Sequence, residues 1–280
     1  MIKYRWSIAI YKGASPLMLQ PTGRNLPVIL PEAVPEMACK TVADPFLVRR
    51  DGRWYMFFEA LDGATNRGEI AYATSEDGDT WTCHGIVLRE DFHLSYPQVF
   101  EHRGTFYMIP ETRQAGSIRL YAAQKFPFDW KLVSTLVEGD YADATVFFHD
   151  GKWRMFSQRG LDEMRLFHSD SLESGWKEHP GNPFWEANRT YCRSGGRMLF
   201  FEGAWYRFAQ DGLQNYGNNL RAMRILRLND EEYEEMEIDS GPILAASTKG
   251  WNALGMHHLD AVKIGDGQWL GAVDGVTIGI

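Results

Sequence analysis

Asp44, Glu59, Glu111 and Asp143 each stand at the polar end of an apolar, strand-forming run. Carboxyl groups crowded into one partly enclosed space repel one another and lose hydration, so at least one keeps its proton near neutral pH. A protonated acid beside an ionised carboxylate is what cleavage of a glycosidic bond requires. Equivalent spacing gathers further polar groups. Asp44 is matched with Glu59, Tyr96 with Glu111, and Asp143 with Gln158. Arg193 and Arg197 go with Gln210 and Asp211, and His257, His258 and Asp260 with Asp274. On this reading Asp44 is base or nucleophile, and Glu111 or Asp143 is the proton donor. Glu59 and Asp211 tune pKa values or bind hydroxyls, while Arg197, Gln210, His257 and His258 hold a sugar or an acidic group attached to it. Tyr96 and Asp260 complete the binding set. Tyr96, Trp54, Tyr216 and Trp251 are the aromatic groups expected to stack on a sugar ring.

Blander readings exist for the same residues. An Asp before Pro, as at Asp44, often caps a turn. Glu59 and Glu111 are also suited to ion pairs with Arg193 or Arg197. The pair His257-His258 invites a metal reading, but neighbours on a strand point to opposite faces, so at most one should enter a channel. No cofactor is expected to be required, although an axial channel leaves room for a structural cation.

The elements that must position these groups repeat along the chain. Asp44–Glu59, Tyr96–Glu111 and Asp143–Gln158 align without gaps, each an apolar strand, a turn containing Gly52, Gly104 or Gly151, and an aromatic strand. Asp-Gly between β-formers is a hairpin signal, because the turn requires φ > 0. A third strand and a tryptophan (Trp81, Trp130, Trp176) follow each hairpin, and these tryptophans are expected to pack between units. A weaker fourth unit starts at Arg193 and a fifth at His257. A period near 50 residues with three or four strands per unit is that of a propeller blade. The expected fold is therefore all-β, a five-bladed propeller spanning residues 1–280, with blades starting near 44, 96, 143, 193 and 257. Trp6–Tyr11 supplies a strand that the last unit lacks, closing the ring. In each blade the start of the first strand lies beside the end of the second, so all the polar tips should meet on one face. Asn229–Glu237 reads as a solvated acidic edge.

A net charge of −8 argues against a phosphate-backbone ligand, so nucleic acid is excluded as a partner. Three scattered cysteines argue against a disulfide framework. No apolar stretch is long enough for a membrane helix, and no signal peptide is evident at the start. The expectation is a cytoplasmic protein with a carbohydrate ligand; protein partners are unknown.

The run Val42-Ala-Asp-Pro-Phe46, with Gly52-Arg-Trp-Tyr-Met-Phe-Phe-Glu59, resembles the first-blade motif of the arabinanase/levansucrase/invertase superfamily, including glycoside hydrolase family 43. A wider resemblance, from about Trp6 to Asp274, is to the N-terminal propeller of plant glucosamine inositolphosphorylceramide transferases. His93-Leu-Ser-Tyr-Pro-Gln-Val-Phe100, Tyr107-Met-Ile-Pro-Glu111, Arg207-Phe-Ala-Gln-Asp211, Tyr216-Gly217 and Gly255-Met-His-His258 carry it. The first resemblance implies an Asp base on blade one, a tuning Asp on blade two and a Glu acid on blade three. Asp44 matches the base, but Ser95-Tyr96 and Asp143 depart from the other two. The second implies a five-bladed propeller whose transfer chemistry lies in a separate C-terminal domain. The resulting expectation is a glycoside-hydrolase-like enzyme. Its alternative is a non-catalytic carbohydrate-binding propeller acting in polysaccharide or glycolipid assembly.

Overall fold

In the computed structural model the hairpins form five antiparallel sheets arranged as blades. The structure describes residues 4–23, 25–239, 241–265 and 267–279, so the expected domain limits at 1 and 280 lie outside the described residues. Blade one comprises Cys39–Arg50, Arg53–Asp62, Gly68–Ser75 and Thr82–Leu88. Blade two comprises Ser95–His102, Thr105–Glu111, Ser117–Lys125 and Phe128–Glu138. Blade three contains Tyr141–His149, Lys152–Arg159, Glu163–Ser169 and the short Lys177–Glu178. In blade four a broken inner strand, Arg193–Ser194 and Leu199–Phe201, pairs with Ala204–Asp211, followed by Asn219–Leu228 and Tyr233–Glu237. Blade five takes Leu259–Gly265 and Gln268–Ile278 from the end of the chain and Tyr4–Gly13 from its start. Tyr4 pairs with Ile278 and Gly13 with Trp269, so the N-terminal strand closes the ring as expected.

The local causes are legible. Asp51-Gly52, Arg103-Gly104, Asp150-Gly151 and Glu202-Gly203 all have positive φ at both positions, the two-residue turn whose twist suits a hairpin. The second strands are apolar almost throughout because both of their faces are covered. Met56 and Phe58 pack toward blade five, whereas Phe57 packs toward blade two. Phe106 and Met108 likewise turn to blade one while Ile109 turns to blade three. The hydrophobic core is thus five seams between blades, and Trp130 sits in one of them, edge-on to Phe57 at 5.7 Å. Trp81 and Trp176 line two others. The acidic edge is only partly solvated. Tyr233–Glu237 forms the outer strand of blade four, and Glu235 turns inward to a buried pair with Arg207.

Two devices shape the axis. First, the innermost strands of blades one, two and three each carry a bulge, where register jumps between Ala43 and Phe46, Ser95 and Gln98, and Ala142 and Thr145. Asp44, Tyr96 and Asp143 occupy the matching positions with φ of 53°, 45° and 48°. Aspartate tolerates this left-handed conformation better than a bulky residue does, so Tyr96 must be held there by its surroundings. Second, polar bonds stitch the inner strands together below the bulges. Leu47 N donates to Asp260 Oδ2 at 2.6 Å, and Gln98 exchanges two bonds with the Val146 backbone at 2.7 and 2.8 Å. Arg197 spans the axis, pairing with Asp260 at 2.9 Å and donating to the carbonyls of Leu47 and Val99.

Candidate functional site

Above this stitched floor the strand ends enclose a funnel of about 960 Å³. Asp44, Glu59, His93, Glu111, Arg193 and His257 line it, with Trp6 and Tyr216 contributing aromatic wall. Trp6 stacks on the His257 ring at 4.1 Å, and Tyr216 meets the same ring edge-on at 5.4 Å.

Asp274 organises the blade-five side. It is fully buried, and its Oδ1 accepts from the backbone N–H groups of His257 and His258, at 3.2 and 3.1 Å. Oδ2 accepts from the Asp44 N–H at 3.0 Å and lies 2.8 Å from His257 Nδ1. Burial alone would raise the Asp274 pKa, but the His257 pairing and these hydrogen bonds hold it below the ordinary carboxylate value. Burial opposes charge on His257 too, yet Asp274 and Asp44 outweigh it and raise the imidazole pKa. At His258 burial outweighs the Asp274 and Asp260 charges and lowers the imidazole to about 4. A neutral His258 whose Nε2–H donates to the Pro45 carbonyl at 3.0 Å presents a bare Nδ1 lone pair. That atom faces Asp44 Oδ1 at 3.6 Å, and neither has a hydrogen-bond partner among the described residues. Two facing acceptors favour a proton on Asp44, whose pKa is pushed up to about 7 by burial and the nearby carboxylates.

On the opposite side Asp143 is fully engaged. Arg193 reaches both of its oxygens, at 2.5 and 3.3 Å, and Gln210 donates to Oδ2 at 2.9 Å. Arg193 also approaches Glu111 Oε2 at 3.4 Å. Burial and the Asp143 charge nevertheless push Glu111 up to about 8. Burial, with Asp44 and Glu111 nearby, also holds Glu59 well above its usual value. His93 accepts from Gly68 N–H at its Nδ1, which leaves Nε2–H toward Glu59 at 3.5 Å. The funnel therefore presents three carboxyl groups that retain protons readily, set between ionic pairs that hold fixed charge.

The structure brings Asp44, Glu59, Glu111 and His257 together in the funnel wall. It places the other sequence-predicted residues differently. Tyr96 is fully buried, with its hydroxyl bonded to Thr145 and to both backbone groups of Gly196, so it braces the axis instead of stacking on a ligand. Asp143 lies behind Arg193 and is no free proton donor. Arg197 and Asp260 are spent on each other in the floor. Gln210 supports Asp143, and Asp211 pairs with Arg221 at 2.8 Å and caps the backbone at Leu213, away from the funnel. Trp54 and Trp251 lie in seams between blades. Of the two histidines only His257 lines the funnel, whereas His258 is fully buried behind Asp44 and braces the site instead of holding a sugar. Asp274, Arg193, His93 and Trp6 are site residues that were not singled out as such. Asp274 and Arg193 were signalled by their spacing with His257 and Gln210, Arg193 also as an ion-pair partner for Glu111, His93 only by motif, and Trp6 only as part of the closing strand. Asp44, His257 and Asp274 place one ligand atom each within 4.8 Å of one another, and these are the residues that could hold an axial cation.

A family model described as "Glucosamine inositolphosphorylceramide transferase 1, N-terminal" matches residues 3–276. Proteins named glucosamine inositolphosphorylceramide transferase 1 from Oryza sativa subsp. japonica and Arabidopsis thaliana are each 35% identical over 297 residues, covering 96% of this chain. The chain spans 40% and 39% of their respective lengths. Among solved structures, the catalytic domain of the Coprinopsis cinerea GH62 α-L-arabinofuranosidase superposes with a TM-score of 0.63 at 13% identity, over 97% of both chains. The β-1,2-mannobiose phosphorylase from Listeria innocua gives 0.63 at 13% identity, over 95% of this chain and 96% of its own. A thermostable family-43 glycoside hydrolase gives 0.60 at 14% identity, over 85% and 89%. At such identities the likeness is one of fold.

Proposed function

The chain belongs to the family of the glucosamine inositolphosphorylceramide transferase 1 N-terminal domain, and from that premise we propose that it is a carbohydrate-binding propeller serving glycolipid or polysaccharide assembly. The observation that carries this reading is the engagement of Asp143 by Arg193 and Gln210. With a buried tyrosine at the matching place on blade two, two of the three positions that would supply a hydrolytic carboxylate set are committed to structure. What remains accessible suits polyols. A protonated carboxyl group both donates and accepts a hydrogen bond, so Asp44, Glu59 and Glu111 match sugar hydroxyls without the desolvation cost of a bare charge. Trp6 and Tyr216 offer apolar wall to a ring face.

One observation favours the hydrolytic alternative. Glu111, held up to about 8, retains its proton in the same funnel as Asp44 at about 7, an acid and a base with pKa values near neutrality. Titration calorimetry of the chain against neutral oligosaccharides, run beside an assay for released reducing ends, separates the two readings. Binding weakened at least about tenfold by Glu59→Ala, with no bond cleavage, is the expected result. Turnover that disappears in Asp44→Asn would establish hydrolysis instead, and failure to bind any glycan would remove both.

A further inference from the structure

Beyond Arg193 and Tyr216 the funnel adjoins an annex of about 320 Å³ that shares those two side chains as its wall. Its lining is opposite in character to the chain as a whole. The protein carries a net charge of −8, yet among the described residues no Asp or Glu lines the annex, while Arg189 and Arg193 both do. Gln158, Gln214 and Asn215 add neutral polar groups. Arg189 is exposed and forms no ion pair among the described residues. Arg193 spends Nε and Nη2 on Asp143 and Glu111, which leaves its Nη1 without a protein partner among the described residues.

The wall is built to stay in place. The Arg193 guanidinium stands 5.4 Å from the centre of the Tyr216 ring. Gly212 N–H donates to the Arg189 carbonyl at 2.9 Å, joining the two segments that form the annex. Gly217 seats the loop so closely that a Cβ there would come within 2.6 Å of Trp6 and 2.7 Å of His257. Guanidinium groups facing a cavity free of carboxylates are suited to an oxyanion, which accepts their charge-assisted hydrogen bonds.

We propose that the annex binds an anionic substituent, a uronate carboxylate or a phosphate ester, carried by the glycan whose neutral ring occupies the funnel. This rests on the carbohydrate reading above. The shared chemistry is an oxyanion on the far side of Arg193 and Tyr216 from the funnel.

The test is calorimetric titration of the full chain with a neutral disaccharide, its uronate counterpart, its phosphate ester, and inorganic phosphate alone. At least one acidic ligand should bind about tenfold or more tightly than the neutral one, and which of the two does so identifies the substituent. Arg189→Ala should bring that ratio close to one while the unfolding midpoint stays in place, and added salt should narrow it. Equal affinities for acidic and neutral ligands, or an advantage that survives Arg189→Ala, would overturn the inference and leave the funnel reading standing. Should no sugar bind, inorganic phosphate decides. Arg189-dependent phosphate binding upholds the annex while the funnel reading falls, and absence of phosphate binding removes the annex as well.

Discussion

Protonation in the funnel links the site to stability. Asp44 and Glu111 keep their protons up to about 7 and about 8 in the folded chain, whereas unfolded carboxyl groups lose them near ordinary values of about 4. Between these limits the folded state binds more protons, so stability falls as pH rises. Glu59 is raised and acts in the same direction. His257, also raised, contributes stability that is complete below the ordinary histidine value and lost as pH climbs through the folded one. His258 and His93 are lowered and oppose the trend, but only below 6.5, where the imidazoles of the unfolded chain become charged. The denaturant midpoint should therefore decline from pH 6.5 toward about 9, each group contributing at most about 1.4 kcal/mol per pH unit. Glu111→Gln should flatten that decline, and a level profile in the unsubstituted chain would contradict the assignment. These residues could be found from their polar positions at strand ends. Their roles could not, because Asp143 and Asp44 look alike in sequence and differ only in what stands opposite them.

Among the elements, the bulges at Asp44, Tyr96 and Asp143 have a counterpart in the glycines of blade four. Gly196 has a φ of 142°, and a Cβ there would fall 1.9 Å from the Leu259 carbonyl oxygen. The obstacle is backbone, which cannot swing aside as a side chain can. Gly196 also exchanges hydrogen bonds with the Tyr96 hydroxyl through both its N–H and its carbonyl. Gly196→Ala should accordingly cost at least about 2 kcal/mol through strain and a displaced buried hydrogen bond. Gly203→Ala, at a turn with open space around it, isolates the cost of positive φ alone. Equal thermal midpoints for the two variants would show that the axial contact is not under constraint. The hairpins themselves were readable because Asp-Gly turns and apolar runs act locally. The bulges were not, since an ungapped repeat records equivalence of position without recording a break in register.

At the scale of the molecule, the ring is held by five seams and closed by pairing between residues 4–13 and 269–278. Removing residues 1–13 would expose the edge of Gln268–Ile278 and take Ile8 and Ile10 out of the seam with blade one, uncovering Met56 and Phe58. An unpaired central strand with an apolar face recruits other chains. The shortened protein should aggregate or lose its single cooperative unfolding transition, as followed by light scattering and circular dichroism, and a monomeric, cooperative product would refute the closure. The sequence by itself determined the blades, their number, the closing strand and the gathering of acidic tips on one face. Each of these follows from periodic burial and turn chemistry, which neighbouring residues specify. Only the tertiary structure decided which polar groups stayed available to a ligand. Arg197 and Asp260 became floor, Asp143 was claimed by Arg193, and Tyr96 was drawn into the axis. Those outcomes depend on contacts between blades some 50 to 150 residues apart along the chain. A buried charge or hydroxyl is satisfied by whatever the fold brings opposite it, and no local pattern encodes that partner.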